Sequence, residues 1–148
     1  GKSYFESGAI LIYLANFSDQ FYGQDKDLTN QCLMAQMGYI GPMIGQHHQF
    51  HHYHPGKSQF GEERFFKITK TIYENLNEHL SKHTYLAGDY SIADIATFPW
   101  IARHNIHDIG LHHYPHLYAW YELILQRPAV IKGYDLFQKG SQPPLIAS

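Results

Sequence analysis

Glu6-Ser7-Gly8 sets a carboxylate and a hydroxyl directly ahead of seven unbroken apolar residues, Ala9 to Ala15. At a helix start, such groups join unpaired backbone N–H groups and can hold a charged ligand. The simpler reading is a cap, with Ser7 as N-cap and Glu6 favouring the positive helix end. A second stretch, 47–54, reads HHQFHHYH. On a helix, His47/His51 and His48/His52 are i,i+4 pairs that can share a metal. No Asp, Glu or Cys lies within the stretch and a pair is not a complete site, so no metal is expected; solvated or packing histidines, or cleft polarity, are the alternatives. Another carboxylate, Asp94, sits in an apolar segment three residues after Ser91. That spacing is a capping box, so Asp94 is expected to support folding and not chemistry. The single cysteine, Cys32, lies in an apolar helical pattern and reads as a buried small hydrophobe sooner than a reactive thiol.

The elements that must position these groups are helical. Strand signals are nearly absent, and the apolar spacing follows the helical period. The first helix is expected from about Ser7 to Asn16, and 19–28 reads as a linker. A second helix begins near Thr29 as N-cap, with Leu33, Met37, Ile40 and Ile44 on one stripe that Gly41-Pro42 should kink or break. Phe60 to Lys82 forms a long amphipathic helix with Ile68, Ile72, Leu76 and Leu80 spaced by four. Ile92 to Ala102 is apolar on most sides and should be the central helix, with Pro99 kinking it and Arg103 and His104 closing it. Tyr90 and Ile95 fit a hydrophobic staple around its start. Pro115 starts another helix whose buried face is Leu117, Trp120, Tyr121 and Ile124, and a short helix follows to about Phe137. Residues 140–148 read as a tail. The fold class is therefore all-α, a bundle of about five or six helices.

Composition narrows the function. The chain has 148 residues, is 44% hydrophobic and 16% charged, and carries a net charge of -2. This is a globular composition with no basic field for nucleic acid or anionic lipid. No apolar run approaches the ~20 residues a membrane span needs. One cysteine excludes an intrachain disulfide and fits a reducing compartment. Twelve histidines make the charge sensitive to acid.

ESGAIL at 6–11, GDYSIADIATFPW at 88–100 and RPAV at 127–130 together resemble the cytosolic glutathione transferase family. GPMIGQ at 41–46, followed by His48, Phe50, His52, Tyr53 and Pro55, is similar to the nu-class bacterial members, which act as glutathione-dependent disulfide-bond reductases. His47, His51 and His54 depart from that pattern. The resemblance implies that 1–18 is the last part of a thioredoxin-like domain, 19–28 a linker and 29–139 the helical C-terminal domain. It implies glutathione as cosubstrate, a small electrophile or disulfide as partner, a homodimer and a cytoplasmic location. Glu6 would pair with the γ-glutamyl ammonium, Ser7 and the helix start would hold its carboxylate, and Gly8 would let the ligand approach. Met43, Gln46, Phe50 and Tyr53 would line the substrate side of the cleft, with core packing as the alternative. Relatives of this type carry an Arg where Thr71 falls; Lys70 beside it is a point charge that could meet a second glutathione or simply be solvated. The family's first strands and helix, which supply the sulfur-activating residue and a cis-proline segment, are expected before Glu6. The expectation is thus an N-terminally truncated, inactive chain that exposes apolar surface at 9–15 or hides it in an oligomer. A non-enzymatic interaction or regulatory module on the same helical domain is the rival reading.

Overall fold

The computed structural model describes residues 1–137 and 139–146, and these build six helices. α1 is Ser7–Ser18, α2 runs without a break over 26–53, and α3 is Gln59–Leu80. α4 is Ile92–Ile101, α5 Pro115–Leu125 and α6 Pro128–Phe137, with single 3₁₀ turns at His104–Ile106 and Leu111–His113. The all-α expectation holds. Gln138, Ala147 and Ser148, at the edge and end of the expected tail, lie outside the described residues.

Two expectations for α2 are corrected. Asp25, not Thr29, caps it, because the Asp25 side chain accepts from the Leu28 N–H at 2.9 Å. Thr29 is buried inside the first turn and donates to the Tyr22 and Asp25 carbonyls. Gly41-Pro42 does not break the helix either. A π-turn at Gln36–Ile40 precedes it, and the Gly41 N–H reaches back to the Gln36 carbonyl. The wider turn accommodates a proline ring that would clash in a regular one. A second π-turn, His48–Tyr53, ends the helix.

The main core joins α2, α3, α4 and α5 through Ile44, Tyr73, Ile101, Leu117, Trp120, Tyr121 and Ile124. α4 is central as expected, with seven of its ten residues buried, and it runs past Pro99 to Ile101. Asp94 explains why it is fixed so firmly. Its carboxylate accepts from Ser91 N–H (3.0 Å), Leu86 N–H (3.0 Å) and Trp120 Nε1 (2.8 Å). The capping box therefore also ties α4 to the preceding turn and to α5. Within the stretch read as a tail, Pro143 is buried, and the Tyr121 hydroxyl donates to the Pro144 carbonyl at 2.7 Å.

α1 is held differently. A small cluster of Ala15, Leu33, Ile92 and Ala96 pins it to α2 and α4. Only Gly8 and Ala15 of α1 are buried, while Leu14 is 50% and Phe17 79% exposed. Tyr4, Tyr13 and Phe17 stack along its outer side at 4.2 and 6.0 Å. Within 9–15, Ala9, Ile10, Tyr13 and Leu14 are exposed, Leu11 and Ile12 half-buried and Ala15 buried.

Candidate functional site

The start of α1 opens on a groove of about 500 Å³ walled by α1, α2 and α4, in which Ser7 shares the lining with Met37, Pro99, Trp100 and Arg103. Ser7 is the first helical residue and Glu6 occupies the N-cap position, so the simpler alternative of Ser7 as N-cap does not hold. Glu6 has φ 65° and ψ 118°, and its side chain accepts no capping hydrogen bond. A non-glycine residue held at such a φ costs on the order of 1–3 kcal/mol, a strain that collects at ligand sites. Both Glu6 and Ser7 are exposed. The Ser7 hydroxyl meets the Met37 sulfur at 3.7 Å and has no base beside it among the described residues, so nothing there activates it as a nucleophile. Gly8 serves packing more than ligand approach: a Cβ there would lie 3.1 Å from Met37 Cγ.

The other expected site residues are dispersed. Met43 is half-buried against the main core. Phe50 is half-buried, stacks on Phe65 at 5.4 Å and packs so tightly on Gly61 that a Cβ there would meet its ring at 2.5 Å. Gln46 and Lys70 are exposed, and Lys70 has no ion-pair partner among the described residues. Tyr53 reaches the groove indirectly, its hydroxyl accepting from Arg103 Nη2 at 3.2 Å. Met37, Trp100 and Arg103 join the lining without having been expected there. The signal that could have found them is helical spacing: Ala96, Pro99 or Trp100, and Arg103 fall on one face of α4 and its extension. A larger apolar groove of about 630 Å³ adjoins across Ile95 and Pro99, lined also by Phe21, Tyr90, Arg127 and Tyr134, and contains none of the expected site residues.

Within the histidine stretch His47 and His48 are buried, His51 is half-buried, and His52 and His54 are exposed. His47 is fully buried with no hydrogen-bond partner on either ring nitrogen, and His48 is 5% exposed. Burial, then the neighbouring Arg103, His47 and His52 charges, push His48 down to about 4. His51 pairs with Asp108 at 2.7 Å. Among the described residues no group of three or more ligating side chains converges as a metal site. Cys32 donates to the Leu86 carbonyl at 3.3 Å, and burial pushes its thiol up, which disfavours a reactive thiolate.

Residues 42–128 match the glutathione S-transferase, C-terminal domain family. The chain belongs to the glutathione S-transferase family. It is 41% identical over 131 residues to the disulfide-bond oxidoreductase YfcG of Escherichia coli, a match covering 86% of this chain and 61% of that protein. A glutathione transferase from Burkholderia graminis, solved with two glutathione molecules per subunit, superposes with a TM-score of 0.82 at 34% identity, covering 93% of this chain and 62% of that one. One from Pseudomonas putida, solved with one glutathione disulfide per subunit, gives 0.79 at 39% identity, covering 88% and 61%. The chain therefore spans about three-fifths of the length of these relatives. No helix among the described residues is long and apolar enough to cross a membrane.

Proposed function

We propose that this chain is part of a glutathione-dependent disulfide reductase or conjugating enzyme, and that Glu6 and Ser7 hold the γ-glutamyl end of glutathione. The observation that carries this reading is the open start of α1: a carboxylate held at φ 65° and a hydroxyl, both exposed and neither used as a cap, beside a groove. An ammonium pairs with the first, and a carboxylate is held by the second and the adjacent N–H groups. Relatives solved with glutathione or its disulfide support the ligand, and the oxidoreductase relative supports the reaction over the regulatory alternative. Gln46 and Tyr53, as exposed groups, are the better candidates for the second-substrate side, with Lys70 for a second carboxylate and Met43 and Phe50 as supporting packing.

With no base beside it, the Ser7 hydroxyl is not assigned the activation of the glutathione sulfur. The exposed aromatic side of α1 is proposed to be covered by a second copy in a homodimer, in the cytoplasm. The test is calorimetric titration of glutathione and glutathione disulfide into the full-length protein and its Glu6→Gln and Ser7→Ala variants. Each variant is expected to weaken binding roughly tenfold, the effect of about 1.4 kcal/mol that one charge-assisted contact supplies. Absence of glutathione binding by the unmodified full-length protein sinks the proposal.

A further inference from the structure

His48 and His107 come from distant parts of the sequence and meet edge to edge in the interior. Their Nε2 atoms are 2.8 Å apart, and their ring planes are within 19° of parallel. On the other side of His107, Nδ1 lies 2.6 Å from the Tyr73 hydroxyl. Two nitrogens in such contact hold one proton between them, one donating and one accepting. The chain closes when Tyr73 donates to His107 Nδ1 and His107 Nε2–H donates to His48 Nε2. As long as Tyr73 donates to His107 Nδ1, a further proton on the pair would set two N–H groups head to head.

The surroundings cannot absorb that proton. His107 is fully buried and His48 nearly so. From α2 the pair is approached by His47 and His52, from α3 by Tyr73, and from the turn after α4 by Arg103 and His104, while the His51–Asp108 pair faces His47. Asp108 is the carboxylate of this group, and it is already engaged by His51. Burial, then the His48, His47, His104 and Arg103 charges, hold His107 well below the ordinary histidine range.

The pair also has mechanical leverage. It clamps the π-turn at the end of α2 onto the turn after α4, alongside the His51–Asp108 and Tyr53–Arg103 contacts. His48 lies over Trp100 with ring centroids 6.2 Å apart, and Trp100 and Arg103 form one wall of the Ser7 groove. We propose that the Tyr73–His107–His48 chain is an acid-released catch: closed with one shared proton, it holds the Trp100–Arg103 wall of the groove in place, and uptake of a second proton opens it. The inference stands without the glutathione reading, since it concerns the wall and not what binds there.

The experiment is a pH titration of the full chain from 7.5 to 4, following the imidazole resonances of His48 and His107 by NMR and tryptophan emission in parallel. The expected result is that both histidines stay neutral well below pH 6.5 and then gain protons together, with a change in Trp100 emission over the same interval. A Trp100→Phe variant identifies that emission. His48→Gln keeps a neutral partner for His107 and is expected to retain helical content at neutral pH while losing the cooperative step. Independent titration of the two histidines near 6.5, or an emission change that persists unaltered in His48→Gln, overturns the proposal. Should His48→Gln fail to fold, the wild-type titration decides alone: coupled uptake with the Trp100 change supports the catch, and uptake without it refutes it.

Discussion

Helices α1 and α4 both begin where a serine stands close to a carboxylate, yet one start is sealed and the other is open. At α4, Asp94 is buried and accepts from the Ser91 and Leu86 N–H groups and from the Trp120 indole. At α1, Glu6 is exposed, caps nothing and is held at φ 65°. The same residue types thus do opposite work. Where buried donors converge on the carboxylate, it becomes structure; where they do not, its charge stays available to a ligand. Burial shows the difference as well: it pushes the Asp94 carboxyl up against the pull of its donors, and a group so enclosed has no route to a substrate.

The comparison breaks first at Asp94. Asp94→Ala leaves the Leu86, Ser91 and Trp120 donors without an acceptor, and at about 1–3 kcal/mol per buried unsatisfied group it should cost at least about 3 kcal/mol in urea unfolding. A fold unchanged in stability would show that the α4 start is not the seal described. Acid should have the next largest effect. His48 is neutral when folded, with its pKa pushed down to about 4, so below the unfolded value of about 6.5 the unfolded chain binds more protons. The stability it contributes is complete above about pH 6.5 and is lost as pH falls toward 4, by about 1.4 kcal/mol per pH unit, with His107 adding to the slope. Denaturant midpoints at pH 7, 6 and 5 check this.

The smaller effects sharpen the contrast. Ser58 caps α3 by accepting from the Gly61 N–H at 3.1 Å, so Ser58→Ala should cost about 1 kcal/mol, as an ordinary cap does. Glu6→Gly should go the other way, stabilising by up to about 1 kcal/mol through relief of the positive φ, while glutathione affinity falls. Loss of stability in that variant would mean that Glu6 is a structural residue after all. Ser7→Ala should change stability by less than about 0.5 kcal/mol, because Ser7 caps nothing. Thermal melts of the three variants side by side test the ranking.

Much of this is legible in the sequence. The capping box at Ser91 and Asp94, the four-residue spacing of Ile72, Leu76 and Leu80, and the apolar run at 9–15 each follow from local rules of helix chemistry. Other features are not legible there because they depend on partners far along the chain or on packing. Asp25 takes the cap in place of Thr29 because Thr29 finds a carbonyl at Tyr22. Gly41-Pro42 is accommodated by a widened turn that periodicity does not encode. Arg103 reads as a helix end, yet with Trp100 it walls the groove. His107 has nothing near it in the chain to mark it.

By itself, the sequence determined that the chain is helical, that α4 is central and capped, and that the motifs at 6–11, 41–46 and 88–100 resemble glutathione transferases. These are matters of propensity, period and local hydrogen bonding, which act over a few residues. The tertiary structure alone decided which carboxylate is spent on folding, which residues share a groove with Ser7, and that His48 meets His107 across 59 positions of chain. Such contacts depend on how helices pack, and packing brings together groups whose separation in sequence carries no information about their distance in space.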